Sequence, residues 1–599
     1  MITTHQLSQR AFDQIADSYG DADSMRELIA GQVSRRQVAL RAILDIAGSA
    51  RAESYFALLA KAQESDPATV ERTFREPHTG AFLFSVLRRL RGVWPGTVTE
   101  VDLAYLGAVA AAAAFAAGLD FRLDVATDDG RVFLPGHGVA SGLPETAELV
   151  CSDGLLSIGD VIVRDGSAGW RPARRLEATV DGQTLSVTLE DADPFRDCHR
   201  LNASAGLTDA EWRHWQQLFE GAWRILVRHH PRHAAAIGAG LMSLVPLSTE
   251  HSSHGVNATS MDTFGAISMT TPADETAMAS SILHEFQHAK LGGLLDLVPL
   301  YSEAGSVADG HDRLYAPWRD DPRPLSGLVQ GVFAFIGVTD FQRVQRQRQE
   351  GRRARFAEFE FARWRERVWR SHAILVGSGR FNSHGRRFLD RLRDTQRPWQ
   401  DEPVAEDIAA SAREAAEDHW IGWRMRNLRP DAGAIAALTA GWLAEAAPPA
   451  MVVRVDTLPS DGRALVYNPR LDLTALSITY PERFAEVRSD PDALKKEAPD
   501  ASPGDIAFVA ADNADAVALY LEELSLDTAR YEPWVGIALA QRRTDPDQVT
   551  ALFTCPEVVL GVFRTCAAET PDPLALVAWL ADVTADGGPD TSDSWRAGS

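Results

Sequence analysis

The sequence predicts an α+β fold that is predominantly α-helical. Three observations lead there. Apolar residues recur at three and four positions over most of the chain, and the period changes to two between Asp120 and Asp193. A further amphipathic run, Ala277 to Leu295, carries the pattern H-E-x-x-H. The two periods are those of a helix with one buried stripe and a strand with one buried face. A chain of 599 residues exceeds what one core accommodates, so two to four domains are expected.

From Ala11 to Ala117 the spacing is helical, as in SMRELIAGQVSRRQVALRAILDIA and ESYFALLAKAQ, which defines an N-terminal helical region over 1–119. The most apolar run, Leu103 to Leu119, is largely alanine, contains Tyr105 and two glycines, and is too short to span a bilayer. It predicts a buried helix. Residues 120–200 form a small β-rich segment. FRLDVATDDGRVFLPG, LLSIGDVIVRDG and RLEATVDGQTLSVTLEDA alternate in polarity, and their Asp-Gly pairs predict hairpin turns in an antiparallel sheet.

Residues 201–400 are grouped as a metal-binding core. Its elements are a helical stretch from Asp209 to Val245, a strand at Gly265 to Thr270, the motif helix, and an arginine-rich helical stretch from Pro322 to Leu392. Glu358, Glu360 and Glu366 interleave with those arginines, which favours a solvated helix face over a nucleic-acid surface. Pro398 and Pro403 predict a break, Pro403 to Ala447 is helical again, and Pro448 and Pro449 end it. The C-terminal helical region, 401–599, contains Gly504 to Ala540. There Ala511, Ala518, Tyr520, Trp534 and Gly536 are the candidate packing positions of a degenerate tetratricopeptide-like unit.

Composition excludes some classes. Apolar residues make up 45% and charged residues 24%, ordinary values for globular protein. A formal charge of −23 opposes binding to polyphosphate backbones, so no nucleic-acid partner is expected. No membrane partner is expected either. The N-terminus lacks a signal pattern, and Cys151, Cys198, Cys555 and Cys566 show no C-x-x-C spacing; together these predict a reduced, cytoplasmic protein.

The chemistry concentrates at His284, Glu285 and His288. Four residues apart on a helix, the two imidazoles face the same way one turn apart and can share a metal ion. Glu285 stands where a carboxylate can act as general base toward metal-bound water. The bland alternative is a helix whose histidines are satisfied by hydrogen bonds. The strand before the motif suggests that an extended peptide pairs with a sheet edge. A glycine three and a histidine six residues beyond His288 would mark one protease class, but Leu291 and Leu294 stand there. Asp296, Glu303, His311, Asp312 and Gln330 are then the candidate third ligands. Farther on, Arg319 and Arg323 surround two aspartates and a proline. They can clamp a dicarboxylate through bidentate hydrogen bonds, or form structural ion pairs with Asp320 and Asp321.

Five segments resemble the actinobacterial HExxH-motif peptide-modification family. They are the N-terminal LSQRAFDQIADSYGDADSMRELIAGQVSRRQVALRAILD, then DPFRDCH, SMDTFGAISM, LHEFQHAKLGGLLDLVPL and LYAPWRDDPRPLSGLVQGVFAF, within the first 350 residues or so. That family accompanies ribosomally made, modified peptides and is similar to 2-oxoglutarate-dependent peptide β-hydroxylases. The resemblance implies that His284 and His288 bind iron(II), that Arg319 or Arg323 holds 2-oxoglutarate, and that the substrate is a precursor peptide. Some members carry histidine where this chain has Gln330, which makes Gln330 the candidate third ligand and implies weaker metal binding if glutamine ligates poorly.

Three functions follow as expectations. The first is an iron(II) and 2-oxoglutarate peptide β-hydroxylase. The second is a zinc metallopeptidase with Glu285 as base. The third is a non-catalytic, metal-stabilised component of a peptide-modification complex, binding partner proteins of that complex.

Overall fold

The computed structural model describes residues 5–204, 206–248, 255–302, 313–460, 462, 465–569 and 571–586. Helix outweighs strand, 60% against 14%, so the chain is a predominantly helical α+β protein. It divides into two compact units, Met1–Pro299 and Leu300–Ser599, and the boundary falls inside the 201–400 span grouped from sequence. The motif helix ends at Leu297, immediately before that boundary.

The first unit opens with six helices, from Gln9–Ala16 to Glu100–Ala116. Their starts are written locally. Asp21 with Ser24, and Thr99 with Asp102, form reciprocal capping boxes that satisfy otherwise orphaned amides. In the alanine-rich helix every residue from Leu103 to Ala114 is buried, as its composition predicts.

The β segment begins at Phe121. Asp129–Gly130, Asp153–Gly154 and Asp181–Gly182 all have positive φ at both positions, the geometry of two-residue hairpins that match strand twist. Two small antiparallel sheets result, one built on Phe121–Ala126 and Thr146–Ser152, the other on Arg131–Leu134 and Gly138–Ser141. A third sheet goes beyond the expected antiparallel segment. Ser243–Leu247 runs parallel to both Gln183–Leu189 and Ala266–Thr270, and Arg174–Val180 closes one side. Parallel pairing needs a crossover, which the helices Asp209–His229 and Pro231–Gly240 provide between the first two of these strands.

The strand Ala266–Thr270 exists as expected but is not a bare edge. Asn257 and Ala258 pair with Met269 and Ser268 on its outer side, occupying the hydrogen bonds expected for a peptide there.

The second unit is mostly helical. Leu325–Arg348 and Gly351–Gly377 form a hairpin, followed by Ser383–Gln400 and Glu406–Asn427. The helix Leu325–Arg348 has the length and hydropathy to cross a membrane, but 72% of its apolar window is buried inside the protein, as in a core helix. Pro398 does not break the chain. It lies in the last turn of Ser383–Gln400, where a missing amide hydrogen costs little helix beyond it; the break comes around Pro403. The stretch 403–447 is likewise two helices, parted by the short strand Leu428–Pro430.

The arginine-rich stretch is a solvated face only in part: Arg348, Arg352 and Arg353 are exposed, and others face inward. Arg346 meets Glu402 at 2.6 Å, Arg365 donates to the carbonyls of Trp399 and Glu402, and Arg367 is buried, donating to the carbonyl of Ala415. Partners distant in sequence satisfy these cations, which makes burial affordable. In the C-terminal stretch, Pro503–Val509, Asn513–Leu526 and Glu532–Arg542 pack as short helices around Tyr520. Gly504 and Gly536 admit that ring, because a Cβ at either position would lie 2.6 and 2.2 Å from it. Tyr520, Trp534 and Gly536 are packing positions as expected. Ala518 is exposed and Ala511 sits at a turn with φ of 63°, so neither serves; Ala516 takes the buried place.

Candidate metal centre

The motif helix, Glu275–Leu297, is capped by Asp274, whose side chain accepts from the amide of Ala277. Met278, Ile282, Leu283 and Phe286 bury its apolar face. Close packing sets its position: a Cβ on Gly240 would lie 2.5 Å from Phe286, and one on Gly293 would lie 2.9 Å from Phe264. Lys290, also buried, donates to the carbonyls of Ser18 and Tyr19 at 3.0 and 2.5 Å, tying the helix to the turn after Gln9–Ala16. Burial holds that ammonium down to about 7.

The imidazoles converge. The Nε2 atoms of His284 and His288 stand 3.3 Å apart, with the ring planes at 80°. Burial, reinforced by the neighbouring His288, holds His284 down to about 3, while 21% of its side chain remains accessible. It is therefore neutral at physiological pH, the form that ligates metals. Glu285 is buried; its Oε2 accepts from the Thr259 hydroxyl at 2.8 Å and its Oε1 lies 3.8 Å from His284 Nε2. Burial pushes its carboxyl above the usual range, against the opposing pull of His288 and Thr259.

Among the described residues, no third His, Cys, Asp or Glu ligand atom lies within 4.8 Å of both imidazoles. Asp296 is engaged elsewhere, accepting from Gln32 at 2.8 Å and pairing with Arg35 at 3.3 Å. Leu291 and Leu294 are buried. Glu303, His311 and Asp312 lie outside the described residues.

Gln330, Arg319 and Arg323 belong to the second unit, Gln330 on the helix Leu325–Arg348. Arg319 clasps Asp321 with two hydrogen bonds of 2.7 and 3.2 Å, and Arg323 reaches the same carboxylate at 3.5 Å. Asp320 instead meets Arg426 and the amide of Val466. The two arginines thus form the structural ion pairs with Asp321, and not with Asp320.

Sequence reasoning missed Thr259, which lies just outside the recognisable segments and whose role appears only through its bond to Glu285. It also missed a buried cluster of His78, Glu190 and Asp193, since nothing in the local sequence joins His78 to the two acids. The chain matches no protein-family model, and no curated protein is similar to it.

Proposed function

We propose that this chain is a metal-dependent enzyme in which His284 and His288 hold a divalent ion, and that it hydroxylates a β-carbon of a ribosomally made precursor peptide with iron(II) and 2-oxoglutarate. The observation that carries the metal assignment is the convergence of two imidazole nitrogens at 3.3 Å on one helix. Imidazole ligands suit iron and zinc alike, and few protein ligands leave positions for a chelating cosubstrate. The choice of iron, 2-oxoglutarate and a peptide rests on the resemblance of the motif segments to the peptide-modification family.

When bound, iron(II) would let dioxygen serve as the oxidant, one oxygen atom going into the C–H bond and the other into the succinate formed as 2-oxoglutarate loses carbon dioxide. The protein's part is positional. Rigid packing around Phe286 and Gly293 fixes where the imidazoles point, and Thr259 orients the Glu285 carboxylate beside them. Arg319 and Arg323 offer planar donors that suit a carboxylate, and Gln330 offers an amide oxygen; the resemblance supports these roles.

One observation favours a second reading. A buried carboxylate held by Thr259 and 3.8 Å from a ligand nitrogen suits a general base toward metal-bound water, as in a zinc metallopeptidase. The deciding experiment uses wild type and Glu285→Gln with candidate precursor peptides. The hydroxylase reading expects succinate release and a peptide gaining one oxygen, reduced but measurable in the variant. Zinc-supported cleavage, indifferent to 2-oxoglutarate and abolished in the variant, installs the peptidase. A wild type that does neither and binds peptide or partner proteins would leave the non-catalytic component.

A further inference from the structure

We propose that His78, Glu190 and Asp193 bind a second divalent transition-metal ion, which fastens the helix Pro77–Leu90 to the end of the strand Gln183–Leu189. A ring nitrogen of His78 and one carboxylate oxygen from each acid lie within 4.8 Å of one another, and all three residues are buried. His78 is 4% exposed, and its Nε2 has no hydrogen-bond partner. A buried imidazole nitrogen left in this state costs free energy unless something ligates it.

The carboxylates present the complementary deficit. Asp193 accepts from the Tyr105 hydroxyl at 2.6 Å and from the Phe195 amide at 2.7 Å. Glu190 accepts from the amides of Ala192 and Asp193 at 2.9 and 2.8 Å. These donors fix the orientation of both groups, but burial and neighbouring carboxylates outweigh them, pushing Glu190 up to about 7 and Asp193 well above its ordinary range. Both can be charged together only beside a cation; without one the pair keeps a proton. Arg196 draws Asp193 down from a distance, but its hydrogen bonds go to the carbonyls of Asp193 and Ser204, and those of Arg36 to Phe74 and Glu76, so neither guanidinium pairs with a carboxylate of the cluster. Among the described residues neither Glu190 nor Asp193 forms an ion pair. A divalent ion would neutralise both charges and ligate the buried imidazole in one step. One imidazole with two carboxylates is a donor set for zinc or manganese rather than for a thiophilic ion. Its burial makes the role structural, with the ion acquired as the unit folds.

The inference is independent of His284 and His288. In the full-length His284→Ala/His288→Ala chain, grown with zinc, elemental analysis is expected to find one zinc per chain. X-ray absorption at the zinc edge is expected to show one imidazole and otherwise oxygen donors. Adding His78→Gln should remove the ion. A folded double variant without zinc overturns the site, as does a zinc shell with sulfur or several imidazoles, or a folded triple variant that keeps its zinc. Should the triple variant not fold, the absorption spectrum of the double variant decides. Failure of the motif site alone would read differently: wild type would carry the same single zinc as the double variant.

Discussion

The hydroxyl of Thr259 donates to Glu285 Oε2 at 2.8 Å, so a residue outside the motif sets the direction of the motif's carboxylate. Thr259→Val keeps the shape and removes the donor. A hydrogen bond to a charged group is worth about 1.5–3 kcal/mol. Turnover of the precursor peptide should therefore fall about tenfold or more while metal content stays that of wild type. Steady-state rates paired with elemental analysis check this; unchanged turnover would leave Thr259 without a positioning role.

Asp321 occupies the fork of Arg319 and lies 3.5 Å from Arg323. If these arginines receive 2-oxoglutarate, Asp321 competes with it. Asp321→Asn should tighten cosubstrate binding, by about fivefold, and Arg319→Ala or Arg323→Ala should weaken it more than peptide binding. Arg319→Lys should rescue poorly, because an ammonium lacks the planar pair of donors. Anaerobic calorimetric titration reads all four, and indifference across the set would assign these residues a purely structural pairing.

Arg424 and Glu557 form a buried, two-pronged ion pair at 2.9 and 2.5 Å. Arg424→Met strands a buried carboxylate, which costs about 3–5 kcal/mol. Pairing it with Glu557→Leu should recover most of that loss, since the apolar pair leaves no charge behind. Urea unfolding of the single and double variants provides the measurement; equal losses in both would show that packing, not the stranded charge, sets the cost.

His372 is buried with its Nε2 donating to the Leu389 carbonyl at 2.8 Å, and burial holds it below its ordinary value of 6.5. The unfolded chain thus binds a proton that the folded chain refuses. Below pH 6.5 this residue destabilises the fold progressively, until the pH reaches its lowered folded value, and above 6.5 it contributes no pH dependence. His372→Gln should give a shallower loss of stability between pH 6.5 and 5, read from unfolding midpoints. An unchanged slope would mean that the imidazole is protonated in the folded state.

Much of the local structure was legible before the fold was known. Period-three-and-four spacing located the N-terminal helices, including the buried run from Leu103. The Asp-Gly pairs at 129 and 181 placed tight turns, because few residue pairs accept positive φ twice in succession, whereas the pair at 165 joins strands of two different sheets. The i, i+4 spacing of His284 and His288 required the imidazoles to share a face, since helix geometry leaves no other arrangement. These features depend on residues within a turn or two of one another.

Only the tertiary structure decided the rest. His78 meets Glu190 and Asp193 because a helix start packs on a strand end far along the chain, a match set by which surfaces bury together. Arg346 and Arg365 face inward because Glu402 and nearby carbonyls, not their immediate neighbours, satisfy them. Ser243–Leu247 became a parallel strand through a two-helix crossover that no local pattern announces. Local periodicity records what each segment must bury; which partner covers it emerges only when the whole chain has been packed.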